Sequence, residues 1–289
     1  MPAAGLSTRL LPVTLAVPKQ LLPLLDKPAI HYAVEEVVAS GVETLVIVIS
    51  AGSHSIADYF DDASALERVL AERGNFDLVE VVRQVEQLIS KLDIVYVQQR
   101  EPLGLGHAVW TARHLVEGEP FAVILPDDIF LGGRPCLDQL IEAHDRSGAT
   151  VLAARRVPRK QVSRYGVVAT DGGAGPLHAV TDFIEKPSVE EAPSDLAVLG
   201  RYVLNPDVLA ELERTKPGAG GEIQLPDAIR NTIRPGAVEA LEFEGDYYDL
   251  GTVPGYLQAN LALGLRRPDL RDQLLELIRE LAGEGALKG

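Results

Sequence analysis

Apolar residues recur along the chain with two different periods, and their order predicts alternating helices and strands. From Ala29 to Ser40 they follow helical spacing, and Gly41 is placed to end that helix. The run Leu45–Ser50 is continuously apolar and of strand length, which is typical of a strand buried on both faces in a parallel sheet. The same succession continues with strands predicted at 94–98, 121–125 and 150–155 and helices at 106–115 and 136–147.

This succession predicts an α/β protein with a Rossmann-like, doubly wound, mixed but mainly parallel sheet flanked by helices. In such sheets the crossovers are right-handed and ligands bind at the carboxyl ends of the strands. The stretch 56–92 has few helix breakers and is predicted to form further flanking helices. Residues 171–176 predict a hairpin or turn, and 270–281 a helix that serves packing or oligomerisation.

Composition narrows the classes of partner. The chain has 289 residues, of which 46% are hydrophobic, so it can bury a substantial core. With 27 Lys and Arg against 42 Asp and Glu, its formal charge of −15 disfavours nucleic acid and anionic membranes as partners. Cys136 is the one cysteine, and neither a signal peptide nor a spanning apolar run is evident, so we expect a cytoplasmic protein.

The first loop carries the pattern of a phosphate-binding segment. Residues 2–28 contain a loop of small residues around Gly5, followed by Arg9 and Lys19. Backbone N–H groups of such a loop can face phosphate oxygens, while the two cations neutralise their charge. Neither a Walker A string nor G-x-G-x-x-G occurs, and taken alone the loop is as well explained by an ordinary strand-to-helix turn.

The whole string resembles the signature of the sugar-1-phosphate nucleotidylyltransferases, which reads G-x-G-T-R-x-x-P-x-T, then P-K, L-P and D-K-P. The resemblance extends over about residues 1–265 in the manner of bacterial UTP-glucose-1-phosphate uridylyltransferases. It is carried by the further blocks GLGHA at 104–108, LPD at 125–127, YGVV at 165–168, EKP at 185–187, GRYVL at 200–204 and GAGGEIQLPDAI at 218–229.

This resemblance implies attack of a sugar-1-phosphate oxygen on the α-phosphorus of UTP, with pyrophosphate leaving and UDP-glucose as product. A phosphate monoester has its second pKa near about 6, so the nucleophile is ionised at neutral pH and needs no general base. The protein's task is then positioning and charge neutralisation. By resemblance Arg9, Lys19 and Lys186 are the catalytic cations.

Two acidic residues are implied as Mg²⁺ ligands. Asp127 follows the predicted strand 121–125, and Asp249 lies in the string YDLGT. Mg²⁺ prefers a few carboxylates together with phosphate oxygens and water. Asp128 is the alternative ligand, and Asp127 is favoured because it belongs to the LPD block.

Nucleotide contacts are expected from Ala4, Gly5, Gln20, Gln99 and Gly104. The amide of Gln99 can both donate and accept hydrogen bonds toward the uracil edge. The glycines at 104 and 106 would let the backbone come close to the nucleotide.

Sugar-phosphate contacts are expected from Gly166, Glu185, Lys186 and Glu222. Glu222, like Asp227, can equally be a solvated loop acid. His107, at the start of a predicted helix, is interpreted as structural rather than as a general base, and Trp110 as a core residue.

Four positions depart from the uridylyltransferase strings: Ser7 replaces a glycine, Leu15 and Leu103 replace lysines, and Gln20 replaces a glutamate. Ser7 costs about 1 kcal/mol if the backbone there needs positive φ. Leu15 and Gln20 match the thymidylyltransferase version of the loop, so a dTTP-using enzyme, or one acting on another sugar phosphate, is an alternative.

A second alternative, a non-catalytic regulatory paralogue, follows from Ser7, Leu103 and the first core strand, most of which is missing relative to the family. Retention of the predicted cations and acids argues against that paralogue. The resemblance also implies a homodimer or homotetramer.

Overall fold

The computed structural model describes residues 1–5, 7–116, 118–218 and 221–283. Its strands are β1 (Pro23–Leu24), β2 (Lys27–Pro28), β3 (Thr44–Ser50), β4 (Asp93–Gln99), β5 (Phe121–Ile124), β6 (Asp128–Leu131), β7 (Thr150–Arg156), β8 (Gly166–Thr170), β9 (Leu177–Glu185), β10 (Leu196–Leu204), β11 (Val238–Glu242) and β12 (Asp246–Asp249). Its α-helices are α1 (Ala29–Ala39), α2 (His54–Tyr59), α3 (Ser64–Glu72), α4 (Phe76–Ile89), α5 (Leu105–Thr111), α6 (Cys136–Ser147), α7 (Asp207–Arg214), α8 (Leu225–Asn231), α9 (Val253–Arg266) and α10 (Pro268–Gly283).

A six-stranded sheet in the order β5-β10-β7-β11-β9-β8 forms the centre of the fold. Strands β5, β7, β8 and β11 run in one direction, while β9 and β10 run in the opposite direction. The predicted α/β fold with a mixed sheet is therefore confirmed, but among the described strands of this sheet only β7 and β11 are parallel neighbours, and the other pairings are antiparallel. All nine residues of β10 are buried, and Arg201 is the one charged residue among them.

The predicted succession of elements is also confirmed. Helix α1 ends at Ala39, and Gly41 follows with φ of 75°, while α6 is followed by Gly148 with φ of 68°. Both glycines adopt the left-handed conformation that commonly terminates helices. Residues 171–176 join β8 to β9 as a hairpin, and the tail forms the predicted helix.

Strands β3 and β4 form a separate parallel pair. At the amino terminus an isolated bridge joins Pro2 to Val48 of β3, and the Ala3 N–H donates to the Val48 carbonyl at 2.7 Å. A cavity of about 520 Å³ lies between β3 and β5, lined by Pro2, Val46, Val123 and other largely apolar residues. The β3–β4 pair thus reaches the central sheet through side-chain packing and not through a continuous hydrogen-bond ladder.

Candidate active site

A tight turn at the end of β5 carries Asp127. The Asp128 N–H donates to the Leu125 carbonyl at 3.2 Å, which places Asp127 at the third position of a β-turn. Asp128 then begins β6, which pairs with β12 so that Asp128 lies opposite Asp249. The Leu250 N–H donates to the Asp127 carbonyl at 2.9 Å. This pairing brings the two predicted metal ligands together across 122 positions of sequence (249 − 127).

Three cations surround these carboxylates. Lys19 forms an ion pair with Asp127, and both side chains are 16% exposed. Arg164 pairs with Asp249 at 2.8 Å. The guanidinium of Arg9 lies so close to Gly251 that a Cβ there would be 2.7 Å from its Nη2 atom. Positive charge is thus concentrated where the two strand ends meet.

Burial and neighbouring charges shift the pKa values of Asp127 and Asp128 in opposite directions. Burial would raise the pKa of Asp127, but the charge and hydrogen bond of Lys19, with a smaller effect of Arg9, lower it. For Asp128, burial together with the charges of Asp127 and Asp249 raises the pKa to about 7. Its carboxylate accepts a hydrogen bond from Tyr247 Oη at 2.7 Å. Asp127 is therefore held ionised, whereas a pKa of about 7 leaves Asp128 only partly ionised near neutral pH.

A cavity of about 380 Å³ opens above this turn. The residues in its wall include nine of the predicted functional residues: Ala4, Gly5, Arg9, Lys19, Gln20, Gln99, Gly104, Asp127 and Glu222. Asp249 lies beside it through the pairing with Asp128. The structure thus brings the predicted phosphate, nucleotide and metal residues to one cleft.

The amide of Gln99 is oriented by neighbours within the protein. Its Nε2 atom donates to the Gly104 carbonyl at 3.2 Å and to His107 Nδ1 at 2.9 Å. This leaves the amide oxygen as the group available to accept from a ligand. His107 orients Gln99, which fits its interpretation as a structural residue.

The two glycines at the start of α5 are packed against residues 222 and 223 of the same chain. A Cβ on Gly104, whose φ is 98°, would lie 2.7 Å from the Glu222 Cβ, and one on Gly106 would lie 2.8 Å from the Ile223 carbonyl oxygen. The close approach required at Gly106 is therefore with residue 223, a contact not foreseen from the sequence. It holds the segment that bears Glu222 against the cavity.

The loop before Arg9 has the strain predicted for Ser7. This residue has φ of 53° and ψ of 35°, in the left-handed region that favours glycine. The Ser7 carbonyl accepts from the Thr14 hydroxyl at 2.9 Å, and Gln20 Nε2 donates to the Ala3 carbonyl at 3.2 Å. Gln20 is 2% exposed and fixes the backbone beside the cavity.

The predicted sugar-phosphate residues form a second group on β8 and β9. Gly166 pairs with Glu185, and a Cβ on Gly166 would lie 3.0 Å from a Glu185 carboxylate oxygen. Lys186, at φ of 45°, places its ammonium 3.2 Å from the same carboxylate and is 59% exposed. Arg164, two residues before Gly166, pairs with Asp249 at 2.8 Å, so this group borders the first.

Two arginines of this region were not predicted to act. Arg164 is identified by its ion pair with Asp249, and it stands immediately before the YGVV block. Arg201 is fully buried and belongs to the GRYVL block. Their positions in or beside the YGVV and GRYVL blocks could have marked them as functional residues. Their partners could not be predicted, because no spacing rule links either residue to a partner far away in sequence.

Trp110 and Cys136 are not among the residues of the cavity wall. Trp110 packs against a buried hydrophobic cluster that includes Val109, Leu204 and Leu212, and the Arg113 guanidinium lies 3.6 Å from its ring centroid. Cys136 is buried at the start of α6, where burial raises its thiol pKa. A thiol held neutral in this way is a packing residue.

The residues near Asp127 suit a hard divalent cation. Among the described residues no group of three or more His, Cys, Asp or Glu side chains is arranged to enclose a metal. Asp127 lies in the cavity wall and Asp249 lies opposite Asp128 in the adjacent strand pair, a donor set that suits Mg²⁺, which takes its remaining ligands from phosphate oxygens and water. Asp127 and Asp249 therefore fit such an ion bound together with a substrate.

The fold and this cleft define a nucleotide-binding α/β protein, and comparison with known proteins identifies its family. The nucleotidyl transferase family matches residues 3–264, and the chain belongs to that family. In the part of the chain that the structure describes, no helix is both long enough and apolar enough to cross a membrane.

Individual relatives agree with this assignment. The chain is 44% identical over 281 residues to UTP–glucose-1-phosphate uridylyltransferase YngB of Bacillus subtilis, covering 97% of this chain and 94% of that protein. It is also 44% identical to UTP–glucose-1-phosphate uridylyltransferase 2 of Staphylococcus saprophyticus, covering 97% and 96%.

Solved structures are similar over nearly the same length. A UTP-bound UGPase from Acinetobacter baumannii superposes with a TM-score of 0.88 at 37% identity, covering 97% of each chain. A UDP-glucose pyrophosphorylase complexed with UDP-glucose gives a TM-score of 0.83 at 38% identity, covering 92% of this chain and 97% of that one.

Proposed function

We propose that this protein transfers a uridylyl group from UTP to α-D-glucose 1-phosphate, giving UDP-glucose and pyrophosphate. The observation that carries the proposal is the convergence of Arg9, Lys19 and Asp127 on one 380 Å³ cavity, with Asp249 alongside. The choice of UTP and glucose 1-phosphate is supported by the names of relatives that are 44% identical over 97% of the chain.

Arg9 and Lys19 bind the triphosphate in this proposal. The guanidinium can hold two phosphate oxygens at once, while the ammonium acts as a point charge. Lys19 is paired with Asp127, so it lies beside the carboxylate that would hold the metal. Together these groups neutralise the charge of the pyrophosphate as it leaves.

Asp127 and Asp249 would hold Mg²⁺, which supplies charge neutralisation at the α-phosphate when bound. Asp127 suits this role because Lys19 and Arg9 lower its pKa and keep it ionised. Asp128 is less suitable because its pKa is raised to about 7 and its carboxylate is already bonded to Tyr247.

The uracil base is recognised near Gln99 and the loop at Ala4 and Gly5. Because Gln99 Nε2 is engaged by Gly104 and His107, its amide oxygen is left to accept from the N3–H of the base. Thymine carries the same N3–H, so this contact alone does not separate UTP from dTTP.

The sugar phosphate is held by Glu185, Lys186, Gly166 and Glu222. Glu185 accepts hydrogen bonds from sugar hydroxyls, and Lys186 neutralises the phosphate. The ionised oxygen of that phosphate forms a bond to the α-phosphorus, while the bond from the α-phosphorus to the bridging oxygen of pyrophosphate breaks. The electron pair leaves with pyrophosphate, and no proton has to be moved by the protein.

The deciding experiment measures pyrophosphate release from UTP, dTTP, CTP, ATP and GTP with glucose 1-phosphate and Mg²⁺. We expect release with UTP to exceed that with the other nucleotides, and UDP-glucose to be the product. A preference for dTTP would replace the uridylyl assignment. No release with any nucleotide would instead favour a regulatory paralogue.

The same proposal includes the assembly and location of the protein. We propose residues 1–265 as the nucleotidylyltransferase domain and 266–289 as a packing or oligomerisation segment. Helix α10 exposes Leu277, Ile278 and Leu281, which supports a homodimer or homotetramer. A cytoplasmic location is part of the proposal and is consistent with the free Cys136.

A further inference from the structure

The guanidinium of Arg201 is enclosed beneath the turn that carries Asp127. Arg201 is 0% exposed, and its Cζ atom lies 4.3 Å from the ring centroid of Phe130. All five N–H donors of the group are used. Two of them, on Nε and Nη2, go to Glu36 Oε2 at 3.1 and 2.8 Å.

The other three donors bond main-chain carbonyls around the turn. Nη1 donates to Leu125 at 2.8 Å and to Gly200 at 2.9 Å, and Nη2 donates to Asp128 at 2.9 Å. Leu125 and Asp128 are the first and last residues of the turn, so one rigid planar group fixes both of its ends. Asp127 is thereby presented from a backbone that cannot tilt without breaking charge-assisted hydrogen bonds.

Glu36 holds this guanidinium in its orientation. Its second oxygen, Oε1, accepts from the Leu137 N–H at 2.9 Å, so the carboxylate is itself fixed between α1 and α6. The contact spans 165 positions of sequence, from α1 to β10. The Glu36–Arg201 pair thus lies behind the turn that carries Asp127. Groups in that position orient metal-binding carboxylates and tune their affinity for the metal.

We propose that Arg201 is a positioning residue, whose guanidinium holds the Leu125–Asp128 turn so that the Asp127 carboxylate faces the cavity in the orientation needed to bind a divalent cation. The inference rests on the proposed function in one respect, the role of Asp127 as a metal ligand. It goes beyond that function because Arg201 lies outside the cavity wall and touches neither substrate nor metal.

The test compares Arg201→Lys with Glu36→Gln. Lysine keeps the positive charge beside Glu36 but has three donors on one nitrogen in place of five on a planar group, so it cannot make all of the bonds that hold the turn. Glutamine at position 36 removes the negative charge but keeps an amide oxygen that can accept from the guanidinium, so it weakens the buried ion pair while Arg201 stays oriented and bonded to the turn. Glu36→Gln is therefore the control for lost stability, and the melting temperature of every variant is measured beside its metal binding.

Metal binding is followed by electron paramagnetic resonance of Mn²⁺ as the probe, in the presence of UTP and without glucose 1-phosphate, with Mn²⁺–UTP in protein-free buffer as the blank. We expect Arg201→Lys to weaken Mn²⁺ binding by about 10-fold or more, as for other groups that support metal ligands. We expect kcat to fall with it while KM for UTP changes by less than about 3-fold, because the lost support acts on metal placement rather than on uniform substrate binding. Glu36→Gln should lower the melting temperature and keep Mn²⁺ affinity within about 2-fold of the unmodified protein.

A third variant keeps the test decisive if Arg201→Lys does not fold. Arg201→Met combined with Glu36→Gln removes both charges, leaves glutamine to accept from Leu137, and should bind Mn²⁺ as weakly as Arg201→Lys. Unchanged Mn²⁺ affinity in folded Arg201 variants would overturn the proposal, as would an equal loss in Glu36→Gln. Failure of the unmodified protein to bind Mn²⁺ would overturn it together with the metal site, whereas Mn²⁺ binding without pyrophosphate release would overturn the proposed function alone.

Discussion

Lys19 is paired with Asp127 across 108 positions of the chain, and this contact joins the amino-terminal loop to the end of β5. It brings a phosphate-binding cation and a metal-binding carboxylate into direct contact. Burial of the carboxylate is compensated by the lysine, so that the pKa of Asp127 stays below its ordinary value. Asp127 is therefore ionised at neutral pH and lies beside the Lys19 side chain, where both can meet a metal–triphosphate complex.

Replacement of Asp127 by Asn tests the metal site. The amide keeps the shape of the carboxylate but loses its charge, so we expect kcat to fall by at least about 100-fold, equivalent to about 2.7 kcal/mol. The measurement is pyrophosphate release at saturating UTP and Mg²⁺, with circular dichroism to show that the fold is kept. Glu213→Gln, which removes one negative charge from an exposed position of α7, is the matched control and should leave kcat unchanged. A near-normal rate in the Asp127→Asn variant would remove Asp127 from the site.

The raised pKa of Asp128 predicts how stability depends on pH. Burial and the neighbouring Asp127 and Asp249 raise this pKa from 3.8 to about 7. Between these values the folded chain holds a proton that the unfolded chain releases, so the free energy of unfolding falls as pH rises from about 4 to about 7. The three-unit difference sets an upper limit of about 4 kcal/mol on this contribution.

Asp128→Asn should remove that dependence. Urea unfolding in EDTA at pH 5 and pH 8 is the measurement, and the variant should gain stability relative to the parent as pH rises. The exposed Asp171 provides the control, since Asp171→Asn should leave the difference between the two pH values as in the parent. If the parent and Asp128→Asn lose the same free energy of unfolding between pH 5 and pH 8, the raised pKa at Asp128 is contradicted.

The sequence predicts the order of helices and strands because periodicity is a local property. Helix α6 covers the predicted residues 136–147, and the strand ending before Asp127 is placed correctly. The antiparallel insertion of β10 between β5 and β7 has no local signal, because it depends on contacts between distant segments. For the same reason the Glu36–Arg201 contact and the packing of Gly106 on Ile223 were not predicted.

Candidate site residues were found through separate blocks of sequence resemblance, not through periodicity. Physical reasoning alone marked Arg9 and Lys19 only as cations near a small-residue loop. The structure adds what those blocks lack, namely that Lys19 and Asp127 meet and that Asp249 lies opposite Asp128. It also shows the strain at Ser7 that the departure from glycine predicts.

Ser7→Gly should relieve that strain. With φ of 53° at Ser7, removal of the Cβ is expected to raise the free energy of unfolding by up to about 1 kcal/mol, less the entropy that glycine adds to the unfolded chain. Ser163→Gly is the control, because Ser163 lies in the short helix Arg159–Arg164 and is not among the residues with positive φ. The free energy of unfolding of Ser163→Gly should fall by about 0.5–1 kcal/mol. Urea denaturation measures both free energies of unfolding, and a loss in Ser7→Gly as large as that in Ser163→Gly would contradict the assignment of strain.

Lys186 combines a predicted catalytic charge with a strained backbone, and two substitutions separate these properties. Its φ of 45° lies in the left-handed region, and its N–H donates to the Tyr165 carbonyl at 3.0 Å. Lys186→Ala and Lys186→Gly both remove the ammonium, so each should lower kcat/KM for glucose 1-phosphate by at least about 10-fold, or about 1.4 kcal/mol.

The two variants should differ in stability and not in activity. Glycine adopts the left-handed conformation without the Cβ penalty, so Lys186→Gly should be more stable than Lys186→Ala by up to about 1 kcal/mol in urea denaturation. Lys160→Ala, in the exposed segment before Tyr165, removes a positive charge elsewhere and should leave kcat/KM unchanged. If Lys160→Ala lowers kcat/KM as much as Lys186→Ala does, the effect comes from overall charge, and Lys186 has no specific contact with the sugar phosphate.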